Sequence, residues 1–188
     1  INQFVPVLTA ALWDELNAEP AKPLLNRAIA EVYAPGSVFK PLVAVAALET
    51  GRVSPETSYE CTGYFERGGY RMGCWNLHGH GGVNMRRGIE QSCNVYFASA
   101  GLQCGYEAIE AVERAAGLGG QTGIALDGEA RGLVPNDAWK RRVHKDGWRF
   151  GDTCNVSIGQ GPLTVTPLQM AVVAAALANG GTLYRPRL

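Results

Sequence analysis

Ser37 and Lys40 stand three residues apart in the segment Pro35-Gly36-Ser37-Val38-Phe39-Lys40-Pro41. On a helix that spacing puts hydroxyl and amine on one face. A helix start also offers unpaired amides and the positive end of the dipole, a setting that favours an oxyanion. A lysine buried there would lose affinity for its proton, because burial and dipole both disfavour its charge. Its neutral amine could then activate Ser37 as a nucleophile. The bland alternative is a serine cap beside a surface lysine, and S-x-x-K alone does not decide between them. Further along, Ser92-Cys93-Asn94 supplies a second hydroxyl and an amide at a junction between two helical patterns. These suit a proton relay and a hydrogen-bonding group, or simply a helix cap.

A third group is Cys61, Cys74, His80 and Cys93, spaced C-x12-C-x5-H-x12-C. This is not a zinc-finger spacing, yet three thiolates and an imidazole make a closed tetrahedral set suited to structural zinc. Disulfides or plain core thiols would use the same residues, and an odd total of five cysteines leaves both open. Cys104 and Cys154 stand in apolar contexts and read as inert buried thiols.

The elements that must hold these groups are mostly helical. A helix is expected over residues 8–16, then an extended stretch over 24–33 after Pro20 and Pro23. The continuously apolar run from Val38 to Thr50, closed by Gly51, predicts a buried helix. Residues 52–84 hold seven glycines and no sustained period, which predicts a long loop or short hairpins in need of a staple. Helical patterns return over 85–91, 95–103 and 106–116. Lys140, Arg141, Arg142, Lys145 and Arg149 read as a solvated basic helix face. Thr166-Pro167-Leu168-Gln169 is a capping box with proline at the first helical position, and the apolar run that follows to Ala178 completes a helix.

Composition narrows the function classes. Seventeen basic residues balance seventeen acidic ones in 188, which argues against a surface that tracks nucleic-acid phosphates. No apolar run approaches the roughly 18 residues needed to span a bilayer. Ser157-Ile158-Gly159-Gln160-Gly161 lacks the lysine of a phosphate loop, so nucleotide binding is not expected.

S-x-x-K followed by S-x-N belongs to the motif set of penicillin-interacting serine enzymes. The chain resembles the transpeptidase domain of elongation-type class B penicillin-binding proteins. The resemblance runs through Asn26-Arg27-Ala28, Pro35 to Pro41, Cys74-Trp75, Gly79-His80-Gly81 and Ser92 to Phe97. It continues in Thr122-Gly123-Ile124, Gly132 to Pro135, Trp139-Lys140, Trp148, Gly151-Asp152-Thr153, Ser157 to Gly161 and Thr166 to Gln169. It therefore covers nearly the whole chain. Asn94 stands where many relatives carry Asp.

The resemblance implies the helical middle of an α/β penicillin-binding or β-lactamase-like fold, 1–188 being part of a single domain. No K-T-G triplet occurs. In such proteins its strand follows the Thr-Pro helix, so it is expected after Leu188, with the first sheet strands before Ile1. Most of the antiparallel sheet would then lie outside this chain, and this stretch alone would not be catalytically competent. The implied activity is that of a peptidoglycan D,D-transpeptidase inhibited by β-lactams. Ser37 would attack the donor stem peptide, Lys40 would act as base, Ser92 as relay, and Asn94 would hold Lys40 and the substrate. The Ser37 amide would form half of an oxyanion hole. A β-lactamase, a β-lactam sensor and a non-catalytic zinc-held module are the alternatives.

Relatives of this branch carry a metal site with Cys, Asp and His at matching positions, which implies zinc on Cys61, Cys74, His80 and Cys93 and no cofactor for catalysis. Implied partners are stem peptides, β-lactams and a membrane glycan polymerase of the elongation machinery, with no nucleic acid. The implied location is the periplasmic face of the bacterial inner membrane.

Overall fold

The computed structural model describes residues 8–188. Its elements in chain order begin with α1 (Ala10–Ala18), α2 (Arg27–Ala30), a 3-10 turn (Gly36–Phe39) and α3 (Lys40–Glu49). Four short strands follow: β1 (Tyr59–Cys61), β2 (Tyr64–Arg67), β3 (Tyr70–Gly73) and β4 (Gly81–Val83). Then come α4 (Met85–Glu90), α5 (Asn94–Cys104), α6 (Tyr106–Ala115), α7 (Asp137–His144), α8 (Phe150–Val156) and α9 (Pro167–Ala178). None of the helices among the described residues is long and apolar enough to cross a membrane.

Helix α5 forms the centre. Tyr96, Phe97, Ala98 and Ala100 are buried along it, and α3 contributes Leu42, Val43, Ala46 and Ala47 to the same core. Both helices are apolar on nearly all sides, as helices enclosed by neighbours must be. Gly101 lets α8 come close: a Cβ there would lie 1.9 Å from the Ser157 hydroxyl. Helix α9 starts at the expected capping box. The Thr166 hydroxyl accepts from the Gln169 amide at 3.1 Å, and the Gln169 side chain accepts from the Thr166 amide at 2.8 Å. Gln169 then donates to the carbonyls of Gly120 and Arg131, so this one cap also pins the loop between α6 and α7.

Residues 52–84 are more ordered than their composition implies. β1 pairs antiparallel with β4 (Tyr59 opposite Val83), and the β2–β3 hairpin (Tyr64 opposite Gly73) is nested between them. The nested arrangement brings residues from distant points of the loop to one place, beside the N-terminus of α5.

Two expectations need correction. Residues 24–33 are not extended throughout: Asn26 caps the short helix Arg27–Ala30 through the amide of Ala28, and extended backbone resumes only at Glu31. Lys140 is not part of a solvated face. It turns inward to Asp152 at 2.5 Å and Asp146 at 3.5 Å, while Arg141, Arg142, Lys145 and Arg149 are exposed as expected.

Candidate active site and thiol cluster

Ser37 lies in the 3-10 turn and is exposed, whereas Lys40, the first residue of α3, is 2% exposed. Residues i and i+3 eclipse on a 3-10 turn, so the expected shared face survives the change of helix type. The Lys40 Nζ donates to the Ser92 carbonyl (2.7 Å), the Ser92 Oγ (3.0 Å) and the Asn94 Oδ1 (2.8 Å). Three acceptors match the three protons of an ammonium group. The Phe97 ring, its centroid 5.7 Å from Nζ, closes one side. Burial lowers the Lys40 pKa from 10.5 to about 8; negative charge on Cys74 and Cys93 would act in the opposite direction.

Ser92 reaches Lys40 twice because its backbone is left-handed, with φ of +51°. The conformation turns the chain sharply between α4 and α5 and aims carbonyl and hydroxyl at one point. Asn94 is fixed from the other side: its Nδ2 donates to the Gly73 carbonyl at 3.0 Å, leaving Oδ1 toward the lysine. One of the two Nδ2 protons is thus taken by the end of the hairpin. Nothing in the spacing of Asn94 and Gly73 announces this contact, which depends on strand pairing.

The four potential metal ligands converge. Cys61 ends β1, Cys74 follows β3, His80 precedes β4 and Cys93 caps α5, and their ligand atoms all lie within 4.8 Å of one another. His78, two residues from His80, is exposed and outside the group. All five cysteines are free thiols, and Cys104 and Cys154 are buried away from the cluster, their pKa values raised to about 11 by burial.

The His80 Nδ1 is 3.5 Å from the Cys61 sulfur and 3.6 Å from the Cys74 sulfur. In a tetrahedral zinc site with usual bond lengths, the sulfur-to-nitrogen edge is about 3.5 Å. The residues therefore fit a closed Cys3His centre. Burial raises the Cys74 thiol, but the backbone amides of Asn94, Asn76 and Val95 outweigh it and bring its pKa below the ordinary value. Burial pushes Cys93 up to about 12, so its thiol keeps its proton unless a cation displaces it. Cys93 also accepts from the Tyr96 amide at 3.4 Å, tying the cluster to the helix that carries Asn94.

A family model for the penicillin binding protein transpeptidase domain matches residues 8–188. The chain belongs to this family. The chain is 39% identical, along all of its residues, to the peptidoglycan D,D-transpeptidase MrdA of Acinetobacter baumannii, and 35% identical to that of Escherichia coli. It covers 28% and 30% of those two proteins, so it spans under a third of each. Among solved structures, Pseudomonas aeruginosa PBP2 in complex with WCK 5153 is 35% identical and superposes with a TM-score of 0.91, covering 100% of this chain and 41% of that one. Helicobacter pylori PBP2 in complex with MreC is 34% identical with a TM-score of 0.90, covering 99% and 35%. The fold expected from the resemblance is thus the fold of these structures, and the elongation-branch relatives are those expected.

Proposed function

We propose that the protein to which this chain belongs is a peptidoglycan D,D-transpeptidase acylated by β-lactams. The observation that carries the proposal is an exposed Ser37 one turn from a buried lysine whose amine is held by Ser92 and Asn94. Lys40 takes the Ser37 proton, and the Oγ attacks the carbonyl of the penultimate D-alanine of a donor stem peptide. The Ser37 amide stabilises the oxyanion. On collapse the carbon–nitrogen bond breaks, and the proton reaches the leaving D-alanine through Ser92, leaving an acyl-enzyme. An acceptor amine reverses these steps and forms the crosslink.

Zinc on Cys61, Cys74, His80 and Cys93 is the second part of the proposal, supported by the fit of the sulfur–nitrogen distances and by the convergence of the four ligand atoms within 4.8 Å. When bound, the ion supplies structural cross-linking of the β1–β4 pair, the β2–β3 hairpin and the start of α5, and no chemistry to the acyl transfer. The same reading places the domain on the periplasmic face of the inner membrane, where stem peptides are crosslinked. Its partners there are a membrane glycan polymerase and, by analogy with the Helicobacter protein, a counterpart of MreC.

Mass spectrometry of the full-length protein incubated with a penicillin tests the reading. One penicilloyl adduct on the Ser37 peptide, stable for many minutes and absent in Ser37→Ala, is expected. Rapid loss of the adduct to water would identify a β-lactamase instead, and no adduct would end the acyl-transfer account.

A further inference from the structure

The turn that carries the nucleophile is moulded by another stretch of backbone. The Gly36 amide donates to the Gly159 carbonyl at 2.7 Å, and both glycines are left-handed, with φ of +61° and +71°. A Cβ on Gly159 would lie 2.1 Å from the Gly36 oxygen and 2.8 Å from the Gly36 carbonyl carbon and nitrogen. No side chain fits between the two turns.

The Gly36 carbonyl and the Ser37 amide belong to one planar peptide unit, so whatever fixes the oxygen also fixes the direction of the N–H. The 157–161 turn is the rigid partner. Gly159 donates to Val156, Gln160 donates to Asn155, and the buried Ser157 hydroxyl donates to Thr153, all within α8. Ser37 sits on an exposed surface turn with less behind it. An intrusion at Gly159 would therefore be relieved by rotation of the Gly36–Ser37 peptide.

We infer that Gly159 is a positioning residue for acyl transfer, its bare backbone setting the Gly36–Ser37 peptide plane and so aiming the Ser37 amide at the developing oxyanion. The inference rests on the acyl-transfer reading. Gly159 touches no reacting atom; it acts through Gly36. Its effect should fall on the acylation rate and not on prior binding, because the bound ground state carries no oxyanion.

The test is stopped-flow acylation of the full-length protein by a fluorescent penicillin, separating the acylation rate constant from the binding constant. Gly159→Ala should lower the rate constant about 100-fold, the usual effect of losing one oxyanion donor, with binding little changed. Gly161→Ala is the control: Gly161 has the same left-handed strain (φ +75°), but its Cβ would meet only the Asn155 side chain at 3.4 Å. It should lower the melting temperature and leave the rate constant near that of the parent. Should Gly159→Ala fail to fold, Gly36→Ala puts the question without a clash, since its Cβ would meet nothing within 4 Å. It resists the same peptide orientation and should slow acylation in the same sense. An unchanged rate constant in Gly159→Ala, or in Gly36→Ala where that is the variant that folds, overturns the inference. So does an equal loss in Gly161→Ala. A parent protein that forms no Ser37 adduct would sink the acyl-transfer reading itself, a result distinguishable from these.

Discussion

Acylation by penicillin should rise with pH on a limb set by Lys40. With a pKa of about 8, a tenth of Lys40 is the neutral base at pH 7 and nearly all of it above pH 9. An ordinary lysine at 10.5 would be neutral in only about three chains per ten thousand at pH 7. Burial of this one amine thus raises its neutral population about 300-fold, a difference of about 3 kcal/mol. The perturbation is pH itself, with Lys40→Ala as baseline, and the assay is the second-order rate of adduct formation between pH 6 and 10. The rate should climb nearly tenfold per pH interval below 7.5 and level off above 8.5. Lys40→Ala should be slow and show no such limb. A limb centred above pH 10, or a flat profile in the parent protein, would refute the view that desolvation prepares the base.

Other expectations concern the surroundings of the site. Glu113 is fully buried, with Tyr106 donating to it, and burial raises its carboxyl from 4.5 to about 8. The folded state then holds this proton more tightly than the unfolded chain, so the contribution of Glu113 to stability is fully present below pH 4.5 and is lost as pH rises to about 8. The loss is about 4 to 5 kcal/mol, or about ten degrees or more in melting temperature. Lys40 shifts the opposite way but only above pH 8, and Glu113→Gln should flatten the curve between pH 5 and 8; an equally steep curve would dismiss the assignment. Purified protein should carry about one zinc per chain, lost in Cys93→Ser, and elemental analysis reads this directly. Gly101→Ala would ordinarily favour a helix, but its methyl meets the hydrogen-bonded Ser157 side chain. Urea melts should show it destabilising by about 1 to 3 kcal/mol.

What was legible in the sequence was what is locally encoded. The Thr166 capping box and the apolar α3 announce themselves because cap chemistry and helical period lie within a few residues. Ser37 and Lys40 kept their shared face even though the turn proved to be 3-10. The 24–33 stretch reads as extended from its prolines although Asn26, a good cap, stands at the start of its short helix. The 52–84 region was opaque for a different reason. Its order comes from pairing Tyr59 with Val83 and from glycines that let strands and turns touch, and neither leaves a periodic trace. Contacts made by main-chain atoms, such as Gly73 with Asn94 and Gly36 with Gly159, are invisible to residue type beyond the glycine itself. Lys140 turned inward because Asp152, on the next helix, waits for it.

The left-handed backbone of Ser92 also limits how this site can change over evolutionary time. Residues that tolerate such a conformation well are glycine, asparagine and aspartate, and none carries a hydroxyl. Threonine keeps the hydroxyl but is β-branched, and a positive φ strains it severely. Serine alone combines the oxygen that meets Lys40 with a side chain small enough for the turn. On the proposed acyl-transfer reading, no single replacement at position 92 keeps the hydroxyl that meets Lys40 without backbone strain, so escape from β-lactams by that route is closed. On the same reading, variation that lowers reactivity falls around the lysine rather than at its partner.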